Sequence, residues 1–311
     1  MDWKQRPRHI PPLNPLRFFE VVARTENLTL AAQELNVTQS AVSRQIAVLE
    51  AYLGVELFRR ERHGVRLTAA GKDYATSIIP VFQQVSNSTR RLVSDSRSGT
   101  LRVRVYTSFA ANWLIPRLGD FHTKHPDIEV ELATGMRNVD FAGDAVDLAI
   151  QAGYGDWPHT HADLLFHDQI DPVCSPAYWA RLQQAGSDAH CRLLYAKYAS
   201  VEWEDWSSRS THDARQLIMG ADQIGFSISL LAWRAAAAGL GLAMGQLALL
   251  NEELARGELV RPFQLPVVRD SAYYLLRPKQ RNDSPKDRLF RDWLLEQAAQ
   301  TRTLLEQHAR R

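Results

Sequence analysis

The chain has 311 residues, enough for about two domains, and its 45% hydrophobic and 23% charged residues are ordinary for a globular protein. No run approaches the ~20 apolar residues of a membrane-spanning helix, and residues 1–15 lack the apolar stretch of a signal peptide. Two cysteines, Cys174 and Cys191, are too few for a disulfide scaffold or a four-cysteine zinc site. We therefore expect a cytoplasmic protein that does not associate with the membrane.

The charge is distributed unevenly along the chain. Residues 1–98 hold 14 Lys and Arg against 9 Asp and Glu, whereas residues 99–311 hold 23 against 26. A basic first third joined to a mildly acidic remainder is typical of a nucleic-acid-binding module attached to another domain. The same excess of charge can also be an ordinary solvated surface.

The first elements in chain order are two helices behind a proline-rich arm at 1–15. Apolar residues at helical spacing predict a helix over 16–24 and a short second helix over 30–35. Thr29 directly precedes the second helix, and its hydroxyl makes it the expected N-cap.

A tight turn and a third helix follow. Asn36 suits the left-handed turn conformation, and Thr38 is the expected N-cap of a helix over 39–52. The arginine-rich stretch 57–67, with a turn at His63-Gly64, predicts a β-hairpin. Together these elements predict a winged helix-turn-helix.

Such a motif places the start of its recognition helix, here the one predicted over 39–52, in the major groove of DNA. Arg44 suits bidentate pairing with guanine and Gln39 with adenine, while hairpin arginines, Arg66 among them, suit phosphates or a minor groove. The residues expected to contact DNA are Thr29, Thr38, Gln39, Ser40, Ser43, Arg44, Arg59, Arg60 and Arg62. An ordinary helical subdomain with a solvated polar face remains the alternative.

A long helix is predicted over 69–96. Its seam steps by three and four residues, which is heptad spacing with Ser88 as the polar exception. The apolar seam residues are Tyr74, Ile78, Val81, Val85 and Leu92. Because no other part of the chain is an evident partner, we expect this helix to dimerise. The stretch 94–100 is a linker by composition.

Strands and helices alternate after residue 100. The predicted strands are 101–106, 128–133, 146–151, 171–174, 192–194, 240–244 and 273–276. The predicted helices are 110–122, 176–185, 228–238 and 286–300. Alternation of this kind predicts an α/β fold with parallel sheets, in which ligands bind at the carboxyl ends of strands. About 210 residues are enough for two lobes.

Candidate effector-binding residues end these strands or begin these helices. A polar helix start offers hydroxyls, free N–H groups and a positive dipole end, which together suit a carboxylate. The candidates are Thr107, Ser108, Phe109, Gln151, Ala152, Tyr195, Phe226 and Ser227. The alternatives are plain N-capping for the helix starts and packing or hinge roles for the strand ends.

Competing chemistry has little support. The glycines at 239, 241 and 245 follow a helix and bracket a strand, the wrong order for a dinucleotide fingerprint. The histidines and aspartates of 156–167 lack metal-ligand spacing, so we expect no metal site. No hydrolase, metalloprotease or P-loop motif is present, and we expect no catalytic residues and no cofactor. An α/β enzyme with an appended DNA-binding domain, and a DNA-binding protein with a ligand-free structural lobe, remain as alternatives.

A resemblance to a known family covers residues 18–74, which read FFEVVARTENLTLAAQELNVTQSAVSRQIAVLEAYLGVELFRRERHGVRLTAAGKDY. This stretch resembles the DNA-binding domain of LysR-type transcriptional regulators. The matching features are Ala31-Ala32, Leu35, Thr38 to Ser43, Ile46, Leu49-Glu50, Leu53-Gly54, Leu57-Phe58 and Leu67-Thr68-x-x-Gly71.

The resemblance continues weakly to the end of the chain, in stretches such as NWLIPRLGDFHTKHPDIEV and AAAAGLGLAMG. It is similar to the subgroup that contains the glycine-cleavage activator and the β-lactamase regulator. The chain departs from that subgroup at Gln151-Ala152 and at 199–206. The identity of the effector therefore does not transfer.

The resemblance implies a three-part organisation. An all-α winged helix-turn-helix would occupy 1–68, a linker and dimerisation helix 69–98, and an effector-binding domain 99–311. That last domain would be a type II periplasmic-binding-protein-like sensor of two α/β lobes. Lobe 1 would comprise about 99–166 and 268–300, and lobe 2 about 167–267, with crossovers near 167 and 267.

The resemblance also implies the partners. The family binds double-stranded promoter DNA as a dimer of dimers and engages RNA polymerase at activated promoters. A small-molecule effector, expected here to carry a carboxylate, would bind between the lobes and modulate a sequence-specific transcription regulator.

Overall fold

A computed structural model describes residues 10–61, 64–93, 99–141, 143–144, 146–186, 191–197, 201–218 and 221–309. Apart from the short segment 142–145, the chain divides into two compact units, one before and one after residue 94. The expected arm at 1–9, Arg62, His63 and most of the linker (94–98) lie outside the described residues, as do the side chains of Arg60, Ser88 and Leu92.

The first unit is helical with one hairpin. Its elements are α1 (Leu13–Thr25), α2 (Leu28–Glu34), α3 (Gln39–Leu53), β1 (Phe58–Glu61), β2 (Gly64–Leu67) and α4 (Ala69–Val93). Strands β1 and β2 pair antiparallel, with Arg59 opposite Arg66. The core is apolar, and Phe19, Val42 and Leu49 are fully enclosed in it.

Local side-chain chemistry fixes the turns of this unit. Asn27 caps α2, because its Oδ1 accepts from the backbone N–H of Thr29 at 2.9 Å and of Leu30 at 3.2 Å. The prediction that Thr29 is the cap was therefore wrong, and α2 begins two residues earlier than expected. The prediction for α3 is confirmed: Asn36 has φ 53°, and Thr38 Oγ1 accepts from Ala41 N at 3.2 Å.

Helix α4 has two different halves. In the first half, Tyr74 and Ile78 pack against the core of their own unit, and the Tyr74 ring lies 5.3 Å from that of Phe19. Phe82 packs against the same core, so the expectation that this helix lacks a partner within the chain was wrong as far as that residue. After Pro80, which lies inside the helix, Val81 and Val85 are 50% and 58% exposed.

An eight-stranded mixed sheet forms the second unit. Its strands are β3 (Gly99–Val105), β4 (Ile128–Thr134), β5 (Leu148–Gly153), β6 (Thr160–Val173), β7 (Arg192–Ala196), β8 (Asp222–Phe226), β9 (Leu242–Gln246) and β10 (Val267–Pro278). The strand order is β4-β3-β5-β10-β6-β9-β7-β8. Strands β3, β4 and β5 at one side of the sheet are parallel, and so are β7, β8 and β9 at the other side. In the centre, β10 runs antiparallel to β5 and β6, and β6 runs antiparallel to β9. The prediction of parallel sheets was wrong for the centre.

Helices cover this sheet. They are α5 (Thr107–Phe109), a π-helical turn (Ala110–Leu114), α6 (Ile115–Lys124), α7 (Pro176–Ala185), α8 (Val201–Arg209), α9 (His212–Ile218), α10 (Ser229–Ala237), α11 (Asn251–Ala255) and α12 (Pro285–Ala309). The first three are continuous, so the helix predicted over 110–122 begins three residues earlier, at Thr107. None of the described helices is long and apolar enough to cross a membrane.

Two long strands, β6 and β10, connect the two halves of the sheet, one formed by β3, β4 and β5 and the other by β7, β8 and β9. The first part of β6 pairs with β10, and its last four residues pair with β9, from Ile170 opposite Gln246 to Val173 opposite Ala243. The β6–β10 register shifts between Val268 and Ala272, so β10 bulges over 269–271. A bulge bends the strand and redirects its side chains.

Candidate functional site

The start of α3 presents a polar face to solvent. The buried Val42, Ile46 and Leu49 anchor the opposite face of this helix in the core of the first unit. The side chains that α3 and its cap turn outward are Thr38, Gln39, Ser40, Ser43 and Arg44, of which Ser43 is half-buried. Thr29, on α2, is also exposed. These side chains lie where the edges of bases can approach α3, although the hydroxyls of Thr38 and Ser40 already bond to each other at 3.0 Å.

The hairpin adds positive charge. Arg59 and Arg66 face each other across β1 and β2, and both lie 3.5 Å from the Glu61 carboxylate. All three side chains are more than 40% exposed, so these ion pairs contribute little in water. A phosphate can therefore replace Glu61 as the partner of either arginine at small cost.

A cavity of about 280 Å³ lies in the second unit, between the two halves of the sheet. Five of the eight residues expected to bind an effector line it: Thr107, Ser108, Phe109, Ala152 and Ser227. The Phe109 ring itself is fully buried among Trp113, Phe166 and Tyr273. That ring is therefore part of the core beneath the cavity.

The two polar helix starts meet at this cavity. Ser108, at the start of the helical run 107–124, accepts a hydrogen bond at 3.1 Å from the backbone N–H of Leu230 in α10. Neither Tyr106, the N-cap of α5, nor Ile228, the N-cap of α10, caps its helix with its own side chain. A serine from one half of the unit thus satisfies a helix start in the other half.

The other three expected residues are not on the cavity wall. Gln151 is 2% exposed and holds a nearby loop, because its amide donates to Arg137 O and accepts from Val139 N, each at 3.1 Å. Tyr195 and Phe226 are partly buried against the two cores of this unit. For all three, the packing alternative describes their surroundings better than ligand contact does.

The sequence prediction missed a charged cluster on the cavity wall. Arg269 Nη1 lies 3.4 Å from both Asp168 and Glu202, and its Nε lies 3.2 Å from Asp205. Gln246 Nε2 donates to Asp168 at 3.2 Å. Arg269 belongs to the bulge of β10, and Asp168 stands opposite that bulge on β6. The pairing of these distant strands leaves no short motif in the sequence.

Burial dominates the electrostatics of the cluster. It raises the pKa of Glu202 to about 8; Asp168 and Asp205 add to the rise, and Arg269 opposes it. Burial likewise raises the pKa of Asp168, against the attraction of Arg269. One guanidinium is therefore not enough to keep two enclosed carboxylates fully ionised near neutral pH.

Both cysteines of the second unit are buried. Burial raises the pKa of Cys174 to about 12 and that of Cys191 to about 11, so both thiols stay protonated at neutral pH. Among the described residues, no three His, Cys, Asp or Glu side chains are grouped as they would be around a metal ion.

Comparison with known proteins gives two family matches. The profile described as "Bacterial regulatory helix-turn-helix protein, lysR family" matches residues 13–72, and "LysR substrate binding domain" matches residues 94–299. The glycine cleavage system transcriptional activator of Escherichia coli K12 is 35% identical over 294 residues, which are 94% of this chain and 95% of that protein. The transcriptional activator AmpR of Pseudomonas aeruginosa is 36% identical over 288 residues, 93% and 96% of the two chains.

Two solved structures are also similar to this chain. The effector domain of Pseudomonas aeruginosa AmpR is 31% identical, with a TM-score of 0.53, and the match covers 66% of this chain and 97% of that one. Full-length AphB of Vibrio cholerae, 20% identical with a TM-score of 0.55, shares the fold over 92% of this chain and 99% of its own. The chain belongs to the LysR family of transcriptional regulators, with an N-terminal DNA-binding domain and a C-terminal effector-binding domain.

Proposed function

We propose that this regulator reads operator DNA through α3 and the β1–β2 hairpin, and that a small carboxylate-bearing effector in the cavity changes how the DNA is held. The observation that carries this proposal is the hydrogen bond from Leu230 N to Ser108 Oγ at the cavity wall. It joins the two halves of the sheet at the place where an anion would enter.

The two helix starts favour a carboxylate. Their first N–H groups have no side-chain cap from Tyr106 or Ile228, and Thr107, Ser108 and Ser227 add hydroxyls at the wall. A helix start favours an anion by about 0.3–1 kcal/mol from its dipole, and hydrogen bonds to a charged group add about 1.5–3 kcal/mol each. An anion bound here contacts both halves, so its binding energy can select one arrangement of the halves over another.

DNA recognition is divided between the helix and the hairpin. The exposed start of α3, with Ser43 and Arg44, supplies contacts to bases, while Arg59, Arg60 and Arg62 of the hairpin region supply contacts to phosphates. The half of α4 after Pro80 pairs two chains through Val81 and Val85, and two such pairs form the dimer of dimers. Two DNA-binding units held together in this way match two half-sites on the operator.

We propose that the protein works in the cytoplasm, contacts RNA polymerase at the promoters it activates, and requires no cofactor. The relatives named above are transcriptional regulators, which supports a regulatory rather than an enzymatic role.

The test is to fill the cavity. Ala152→Trp places a large side chain in it, and we expect the full-length variant to lose every melting-temperature rise that a panel of metabolites gives the parent protein. Effector-free operator binding should be unchanged. Ala177→Trp, at an exposed position on α7, is the matched control and should respond like the parent. An Ala152→Trp protein that is still stabilised by the same compounds would place the effector elsewhere.

A further inference from the structure

We propose that the effector also carries an ammonium group, and that Asp168 and Glu202 bind it at the wall of the cavity. The inference rests on the proposed function, because this cluster and the two helix starts line the same cavity. The ligand class is then a small zwitterion, such as an amino acid, whose carboxylate lies at the helix starts.

The cluster has more carboxyl groups than cations. Asp168 and Glu202 are 3% and 4% exposed, and they share one Nη1 atom of Arg269 at 3.4 Å, a long distance for a charge-assisted hydrogen bond. Arg269 also forms an ion pair with Asp205, whose side chain is 41% exposed. Three carboxyl groups therefore surround one guanidinium, and a further positive charge would allow both of the enclosed groups to ionise.

The hydrogen bonds within the cluster use one oxygen of each enclosed carboxyl group. Both bonds to Asp168, from Gln246 and Arg269, reach Oδ2, and the bond to Glu202 reaches Oε1. The other two oxygens, Asp168 Oδ1 and Glu202 Oε2, take no part in these bonds. An ammonium group has three donors and no acceptor, so it suits two such oxygens.

The position of the cluster gives the ammonium group a mechanical role. Asp168 is on β6 opposite the bulge, Arg269 is in the bulge of β10, and Glu202 is on α8. Strands β6 and β10 carry the chain between the two halves of the sheet. A cation bound among them ties α8 to the crossing strands, while the carboxylate of the same molecule lies at α5 and α10.

Binding should release a proton. Burial raises the pKa of Glu202 to about 8, so its carboxyl group is mostly protonated at pH 7, where it faces Asp168, Asp205, Arg269 and Tyr273. An ammonium ligand favours the ionised form and lowers that pKa. The affinity for a zwitterion should therefore rise with pH up to about 8 and fall again at more alkaline pH, where the ligand's ammonium group loses its proton.

The experiment compares matched probes on the full-length protein. The probes are the common amino acids of both hands, each beside its des-amino carboxylic acid and its decarboxylated amine. We expect at least one amino acid to raise the melting temperature, and its des-amino acid to bind about tenfold more weakly or worse. Calorimetry at pH 7 in two buffers of different ionisation enthalpy should show proton release.

The variant Glu202→Gln separates ammonium binding from general loss of the site. It should weaken the amino acid by about tenfold or more, abolish proton release, and leave the affinity for the des-amino acid unchanged. Glu204→Gln, an exposed position on the same helix, is the control and should behave like the parent.

Two results would overturn the ammonium site. One is a des-amino acid that binds as tightly as its amino acid, and if Ala152→Trp abolishes that binding, the proposed function still stands. The other is a panel in which no amino acid or amine stabilises the protein, while the broader metabolite panel judges the proposed function separately.

Discussion

The two units of this regulator treat polar groups in opposite ways. Among the described residues, every buried polar or charged side chain lies in the effector-binding unit: Gln151, Asp168, Gln169, Asp171, Ser175, Glu202, Ser210, Lys286, Asp287, Gln297 and Thr301. The enclosed core of the DNA-binding unit is apolar, and the groups proposed to contact DNA lie on its surface. The polar groups proposed for DNA recognition therefore stay in water until DNA binds, whereas those proposed for effector recognition lose water when their unit folds.

This difference predicts that DNA binding and effector binding respond to different solution conditions. Exposed arginines such as Arg59 gain their energy from phosphates and released counterions, so DNA binding should depend steeply on salt. Enclosed carboxylates such as Asp168 are screened little by salt but have shifted pKa values, so effector binding should depend mainly on pH.

The largest effect should come from breaking a buried ion pair in the effector-binding unit. Arg261 Nε lies 2.7 Å from the fully enclosed Asp171, whose second oxygen, Oδ1, has no hydrogen-bond partner among the described residues. Arg261→Ala would leave that carboxylate unpaired at a cost of about 3–5 kcal/mol in denaturant unfolding. Arg24→Ala, which removes an exposed arginine from Glu20 in the DNA-binding unit, should cost about 1 kcal/mol or less. Equal losses would contradict the contrast between the units.

The next effect concerns the exposed half of α4. Val81→Asp with Val85→Asp should place charges in the dimer seam at a cost on the order of 2–3 kcal/mol, and the protein should lose its oligomer and most of its operator affinity. Light scattering measures the first result and operator titration the second. Gln84→Asp, exposed on the same helix, is the control. Ile78→Asp would be less informative, because Ile78 also packs against the core of its own chain.

The smallest effect divides base contacts from phosphate contacts within the DNA-binding unit. Arg44→Ala should cost about 1–3 kcal/mol on the operator and little on scrambled DNA, because it removes a contact to a base. Arg59→Ala should weaken both DNAs alike and reduce the slope of log affinity against log salt by about 1. Titrations of both DNAs at several salt concentrations separate the two roles, and a uniform loss for Arg44→Ala would rule out base reading.

What the sequence could predict depended on how local the determinants are. Thr38, Asn36 and the apolar face of α3 act over a few residues, and their roles were predicted correctly. Asn27 was missed because Thr29, two residues later, is also a good capping residue, and nothing local decides between them.

Contacts between residues far apart in the chain could not be predicted from the sequence. The antiparallel centre of the sheet depends on β6 meeting β10, about a hundred residues later, and strand alternation alone does not reveal that direction. The Asp168–Glu202–Arg269 cluster depends on the same pairing and on a bulge, so its members share no spacing. The pair Thr107-Ser108 was found because two hydroxyl residues between a strand and a helix are a local signal, although the helix itself was predicted to begin three residues later.

Pro80 has a consequence for the operators this protein can accept. A proline has no N–H, so the carbonyl of Thr76 has no helical donor four residues on, and the helix is weakened at this point. A joint at this point would let two DNA-binding units, paired through Val81 and Val85 as proposed, adjust their separation. Tolerance for variable half-site spacing would then be set at this position, and Pro80→Ala should narrow it.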